Sequence, residues 1–204
     1  MPYSAEHKTQ TREKIVECAR ILFNRHGFSG VTIDMIMKEA GLTRGGFYNH
    51  FKSKENLYSE AVASFLMGRG AQWRADAGVD PSSPAPINAK RMLKSYLSAE
   101  HLGDLDGQCP MIALPSDTAR ASREVQASYQ ELLQAMVWLF EFGSKEETKK
   151  KPTKKSVAEN RQNALTMAAL SVGGMILART LPDSELADEV RLAALNAAEK
   201  LAKF

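Results

Sequence analysis

The sequence predicts an all-α protein. Apolar residues recur at three- and four-residue spacing through most of the chain, glycine and proline fall where such stretches stop, and two short periodic segments meet at a single glycine. A hydrophobic fraction of 44% over 204 residues is enough for a packed core in one large or two small domains.

The first helix is expected over His7 to Arg25, with Ile15, Cys18, Ala19, Leu22 and Phe23 on its buried face and Gly27 ending it. On that stripe Cys18 reads as a small core residue. Phe28 plugs the adjoining loop, and Thr32 caps the next helix. In VTIDMIMKEAGLTRGGFYNHFKSK, residues 31–54, the residues Ile33, Ile36, Met37 and Ala40 share one helix face. Gly41 supplies the left-handed residue that closes this helix, and Thr43 is placed to cap a second one in which Phe47 and Phe51 lie four apart. Two short helices joined by a tight glycine-containing turn form a helix-turn-helix, whose second helix enters the DNA major groove.

An ordinary helical hairpin is the rival reading. Against it stand Gly45 and Gly46, which cost a packing helix roughly 1 kcal/mol each relative to Ala but let a backbone approach base edges. The exposed set Arg44, Tyr48, Asn49, His50, Lys52 and Lys54 supplies the cationic, aromatic and amide groups that hold phosphates and read bases.

A linker helix capped by Ser53 is expected to run to about Ala77, and the proline-rich stretch GVDPSSPAP, 78–86, reads as a linker. A helix over Ile87 to Leu102 carries Leu93, Tyr96 and Leu97 toward the core. Cys109 and Pro110 then open a short helix, with the cysteine as N-cap and Pro115 as its end. A long helix is expected over Ala119 to Phe142, with Gly143 closing it. The stretch SKEETKKKPTKK, 144–155, holds six lysines and no apolar residue, and reads as a solvated loop. Two terminal helices, about Ser156 to Thr180 and Asp183 to Lys203, are rich in small apolar residues. Ala168, Val172, Met175, Val190, Ala194, Ala197 and Leu201 are the candidates for a homodimer interface built by close helix packing.

Charge is unevenly spread. Residues 1–58 carry nine Lys and Arg against six Asp and Glu, residues 59–142 seven against ten, and residues 143–204 eleven against eight. A basic excess thus lies on the helix-turn-helix stretch, where a nucleic-acid surface requires it. No signal segment precedes the first helix and no apolar run approaches the roughly 18 residues that span a bilayer, so a cytoplasmic protein without a membrane partner is expected. Its two cysteines suit a reducing compartment.

Residues 7–62 resemble the DNA-binding domain of the TetR/AcrR family of bacterial transcriptional regulators. The resemblance is carried by LFNRHGFSGVTIDMIMKEAGLTRGGFYNHFKSKENLYSEAV, in which the G-F-x-x-V-T-I, A-G-L and F-Y-x-H-F-x-S-K-E-x-L elements stand in the family's order. It implies an all-α homodimer in which an N-terminal three-helix domain, 1–53, binds DNA. A linker helix joins it to a C-terminal domain, 54–204, that binds an effector and dimerises through its last two helices. GQCPMIAL, 107–114, also resembles the start of the family's sixth helix in some members. Carried onto this chain, the pattern implies phosphate contacts from Thr32, Tyr48, His50 and Lys54, and places Arg44, Gly45, Gly46 and Asn49 on the base-facing turn. Chemically, Arg44 suits guanine and Asn49 suits adenine; the bland role for Asn49 is a solvent-exposed amide. Asp34 departs from the basic residues common at its position, and either repels phosphate or accepts from cytosine.

The expected function is a repressor that leaves a palindromic operator when a small molecule binds the C-terminal domain and acts through the helix 54–77. Tyr96, Met111, Leu114, Met136, Trp138 and Phe140 are candidate pocket residues, with membership of the core as their alternative role. Cys109 offers a second reading: a helix-start thiolate sensing electrophiles or oxidants, against a purely structural cysteine. No nucleophile with a base and orienter and no phosphate-cradling loop occurs, so no enzyme, cofactor or metal is expected. His101, Asp104, Asp106 and Cys109 can be drawn as a ligand set, but an acidic loop explains them equally well.

Overall fold

The computed structural model describes residues 5–80, 82, 86–143 and 153–202. Among these, eleven α-helices and one 3-10 helix occur and no strand. They are α1 (Ala5–Gly30), α2 (Ile33–Glu39), the 3-10 helix η1 (Arg44–Asn49), α3 (Lys54–Met67), α4 (Arg69–Asp76), α5 (Pro86–Tyr96), α6 (Ala99–Gly103), α7 (Pro110–Ala113), α8 (Pro115–Arg120), α9 (Arg123–Gly143), α10 (Lys154–Thr180) and α11 (Ser184–Ala202). Most of the lysine-rich stretch, 144–152, lies outside the described residues, as do Pro81 and Pro84 of the proline-rich linker.

The helices form two compact units that are not consecutive in sequence: Met1–Arg69 with Leu105–Glu131, and Gly70–Asp104 with Leu132–Phe204. In the first unit, α1 buries Ile15, Ala19 and Phe23 against α3, which contributes Leu57, Tyr58, Ala61 and Val62. Phe23 meets the Tyr58 ring edge-on at 4.9 Å, and burial pushes the Tyr58 phenol up to about 12. The span α1 holds two helical pieces that meet at Gly27: at φ 70, ψ 172 this residue ends the first, as expected, and helical bonding resumes as far as Gly30. A side chain there would be strained by the backbone angle and would also meet Asp117, whose carboxylate lies 2.8 Å from the position of a Cβ and accepts from the Phe28 N–H at 2.9 Å.

Polar bonds hold residues 105–131 against α1 and α3. Buried Arg20, braced by Glu17 at 2.6 Å, donates to the Asp106 carbonyl at 2.6 Å. Asn24 donates to the Gln108 carbonyl at 2.8 Å, and Arg25 pairs with the Asp106 carboxylate. Ser59 and Ser128 share a hydrogen bond at 3.0 Å.

In the second unit, α10 and α11 form a hairpin packed so closely that a Cβ on Gly174 would lie 2.6 Å from that of Ala194. Against α11 rests α5, and buried Arg191 donates to the Leu97 carbonyl at 2.6 Å while pairing with Asp188. His101 donates from Nδ1 to the Tyr96 carbonyl at 2.8 Å, with its ring 4.4 Å from Trp73.

Three expectations about helix boundaries are corrected and one is extended. Helix 54–77 is two helices, because at Gly68 the backbone turns to φ −96, ψ −113 and its N–H bonds back to Ser64. The helix expected over 87–102 breaks after Tyr96, where Ser98 leaves helical geometry and caps α6 by accepting from His101 N at 3.1 Å. Pro115 does more than follow the end of α7 at Ala113: it also starts a helix, at its first position, where the missing N–H costs nothing. The long helix consequently begins at Arg123 instead of Ala119.

Candidate nucleic-acid interface

The reading surface is built from α2, a glycine turn and η1. Thr32 is extended at φ −105, ψ 159, and its hydroxyl accepts from Met35 N at 3.2 Å, which fixes the start of α2 while leaving the residue exposed. At the other end, Gly41 takes φ 70, its N–H bonds to the Lys38 carbonyl at 3.0 Å, and Leu42 N bonds to the Met37 carbonyl at 2.8 Å. This paired closure is the Schellman motif, and it turns the chain at once into the next element.

That element is a 3-10 helix rather than the expected α-helix, and Thr43 stands at its N-cap position without a side-chain capping bond. With only six residues and two adjacent glycines, the segment has little to gain from α propensity, and its bonds close three residues apart, as from Gly46 N to Thr43 O at 3.0 Å. Phe47 and Phe51 anchor it inward, their ring centroids 5.7 Å apart, with the Arg12 guanidinium 4.5 Å above the Phe51 ring.

The two glycines are not demanded by packing within the chain. Neither has positive φ, a Cβ on Gly45 would meet nothing within 4 Å, and one on Gly46 would make an ordinary 3.6 Å contact with Met37. Their conformational cost of about 1 kcal/mol each is therefore uncompensated inside the protein. An open backbone beside Arg44 is what close approach to a groove requires.

Arg44, Gly45, Tyr48 and Asn49 are exposed, Tyr48 at 63% despite its edge-on contact with Phe47 at 5.2 Å. Arg44 donates to the Asp34 carboxylate at 2.5 Å, so the unusual acid at position 34 forms an ion pair across the two elements. Lys54, at the first position of α3, is more confined. Its ammonium donates to the Phe28 and Val31 carbonyls, each at 2.9 Å, and lies 4.1 Å from the Phe28 ring centroid.

His50 borders a groove of about 520 Å³ shared with His7, Lys8 and Thr11 of α1 and with Met37, Leu42, Thr43, Gly46 and Asn49. Among the described residues no carboxylate lines it. The His50 Nδ1 is buried without a hydrogen-bond partner. Desolvation first, then the neighbouring cations Lys8 and Arg12, lower its pKa below the usual histidine value. Sequence reasoning missed the α1 wall of this groove. The signal was available as the polar i, i+4 pair His7 and Thr11, with Lys8 beside it, on α1.

The other candidate residues do not gather at one place within a unit. Cys109, Met111 and Leu114 are buried in the first unit, whereas Tyr96, Met136 and Phe140 are buried in the second, where Trp138 is 40% exposed. Leu114 borders a void too small for water, with Phe23, Tyr58 and Pro110. Cys109 does cap α7 as expected, but it is 2% exposed and α7 has only four residues. A thiol so buried lacks the access of a reactive one. Of the dimer candidates, Ala168, Met175 and Ala194 are buried within the chain, and Val172, Val190, Ala197 and Leu201 are half-buried. Among the described residues no cluster of three or more His, Cys, Asp or Glu could hold a metal ion, and no helix is long and apolar enough to cross a membrane.

Residues 15–61 match the sequence model of bacterial regulatory proteins of the tetR family. The HTH-type transcriptional regulator YhgD of Bacillus subtilis is 31% identical over 86 residues, covering 42% of this chain and 44% of that protein. Like it, the other first relatives are matched over less than half of their own length. The HTH-type transcriptional regulator LmrA of the same organism is 27% identical over 178 residues, covering 85% of this chain and 89% of that one. A TetR transcription regulator from Haloarcula marismortui shares the fold, with a TM-score of 0.69 over 96% of this chain and 97% of that one at 14% identity. Residues 15–61 are thus similar in sequence to bacterial regulatory proteins of the tetR family, and the helical architecture is the fold shared by solved regulators of that family.

Proposed function

We propose that this protein is a DNA-binding transcriptional regulator, and that it acts as a homodimeric repressor released from a palindromic operator by a small molecule. The observation that carries the reading is the exposed surface of α2 and η1, where Arg44, Tyr48 and Asn49 flank a glycine pair that the fold does not need. In this reading residues 1–53 are the DNA-binding domain and residues 54–204 hold the effector and dimer surfaces. Thr32, Tyr48 and His50 contact phosphates, Arg44 and Asn49 read bases, and Lys54 holds the frame beneath them, with one donor left for a phosphate.

The dimer surface is the apolar groove of about 370 Å³ lined by Ala169, Leu170, Gly173, Leu177, Val190 and Ala193. Of the sequence-derived set this groove keeps Val190 and Ala194. A dimer that reads a palindrome must bring its two recognition elements to successive major grooves about 34–36 Å apart. An effector can release DNA only to the extent that it prefers another arrangement of the dimer.

Selection of bound genomic fragments by the purified protein tests the reading. Enrichment of inverted repeats, with affinity falling steeply with salt, supports it, and salt-independent or undetectable DNA binding overturns it. Effector screens on the recovered fragment then separate the two modes of control: release by ligand identifies a repressor, and tightening identifies an activator or corepressor.

A further inference from the structure

We infer that Asp34 and Arg44 act as one composite reading element selective for a G·C pair, with Asp34 as the residue that positions Arg44; this rests on the DNA-reading function proposed above. Asp34 lies in the first turn of α2 and Arg44 opens η1, so the pair bridges the two halves of the helix-turn-helix. The guanidinium donates to one carboxylate oxygen at 2.5 Å, and both side chains stay more than half exposed, at 62% and 57%. An ion pair so exposed adds little to folding stability. On a surface that faces phosphates, its carboxylate also opposes non-specific binding.

Chemistry supplies the reason for keeping it. Bonded to Asp34, Arg44 retains free N–H donors, and the carboxylate retains a second oxygen as acceptor. The pair therefore presents donors beside an acceptor. Across the major groove a G·C pair offers guanine N7 and O6 as acceptors followed by the cytosine N4 donor, which is the complementary order. An A·T pair places the adenine N6 donor between two acceptors, where the second donor of the fork would meet it. Gly45 leaves the adjacent backbone open for this approach. Asp34 also narrows the rotamers of a long side chain, so that its fork is held before DNA arrives.

The test is selection from a randomised duplex pool by the wild-type protein, Asp34→Asn, Asp34→Ala and Arg44→Lys. Binding of the wild-type consensus, its G·C-to-A·T variants and random duplex is then measured at one salt concentration, with melting curves to verify folding. The expected wild-type motif contains a G·C pair in each half-site whose replacement weakens binding by about 5- to 100-fold. Asp34→Asn and Asp34→Ala should bind random duplex more tightly and lose most of that ratio, and Arg44→Lys should lose the ratio without the gain. A G·C preference that survives both Asp34 substitutions overturns the composite element alone. A wild-type pool with no enriched sequence overturns the DNA-reading function and the element together.

Discussion

Replacing Lys54 by Met separates a structural from a DNA-contacting role for this residue. The substitution keeps an unbranched stem but removes the ammonium that donates to the Phe28 and Val31 carbonyls at 2.9 Å and sits 4.1 Å from the Phe28 ring centroid. Hydrogen bonds to a charged donor contribute about 1.5–3 kcal/mol net. Because Lys54 is half-buried, the lower part of that range applies, and a cation–π contact at such a site adds about 0.5 kcal/mol. The expected loss is about 2–3 kcal/mol, which for a chain of this size lowers Tm by about 4–12 °C. Lys54→Arg should fall between Met and wild type, since its planar fork keeps the charge but meets the two carbonyls differently. Circular dichroism melts of the three proteins at pH 7 provide the measurement. A Lys54→Met variant that melts within about 2 °C of wild type, yet has lost affinity for random duplex, would refute the structural account and leave a simple phosphate contact.

Four further outcomes are expected. His50 has a depressed pKa in the free protein, and a phosphate beside it favours the charged form. DNA affinity should therefore rise as pH falls from 7.5 to about 5.5, and fluorescence anisotropy should find that slope flattened in His50→Gln. The same depression means that the folded state binds fewer protons than the unfolded chain. The stability tied to His50 is thus present above the unfolded histidine value near 6.5 and is lost as pH falls through the depressed one, so His50→Gln should be less acid-sensitive in denaturant titrations. Gly174→Ala should destabilise by about 1–3 kcal/mol through overpacking, because its new Cβ would lie 2.6 Å from that of Ala194; Ala194→Gly in the same chain should restore most of the loss in urea titrations. Leu177→Glu, at an exposed position bordering the α10 and α11 groove, should convert dimer to monomer in sedimentation while leaving the helical spectrum intact.

Local rules carry the helix-turn-helix. Thr32 as a cap, Gly41 as a left-handed closure and the inward pair Phe47 and Phe51 all arise from spacing within a few residues, and each is found where it is expected. The breaks at Gly68 and Ser98 are less legible. Apolar periodicity runs through both, and only the capping capacity of Ser98 and the low propensity of glycine oppose it. Small apolar residues cover several faces of α10 and α11, so spacing alone does not separate the residues that pack within the hairpin, such as Ala168 and Met175, from those that border its groove, such as Ala169 and Ala193. The Asp34 and Arg44 pair is invisible in the sequence for a different reason. Each residue is unusual or functional by itself, but their meeting depends on how tightly η1 turns back toward α2.

The attachment of residues 105–131 to α1 offers the proposed effector response a path to the reading surface within the first unit. Helix 54–77, the route expected from the sequence, is broken at Gly68. Within the first unit, by contrast, contacts run without a gap from α8 to the start of α3. Asp117 accepts from the Phe28 N–H, the Phe28 carbonyl accepts from Lys54, and Lys54 lies just beyond the segment that η1 closes. Gly27 makes this possible, since its positive φ lets the chain turn so that Phe28 presents its N–H to one partner and its carbonyl to the other. Coupling between sites requires an element that both can bias. Rotation of α8 that bent the Asp117 bond toward about 120° would weaken it, because hydrogen bonds weaken steeply with angle. The kink at Gly27 is therefore the point at which residues 105–131 and the recognition elements share one set of hydrogen bonds.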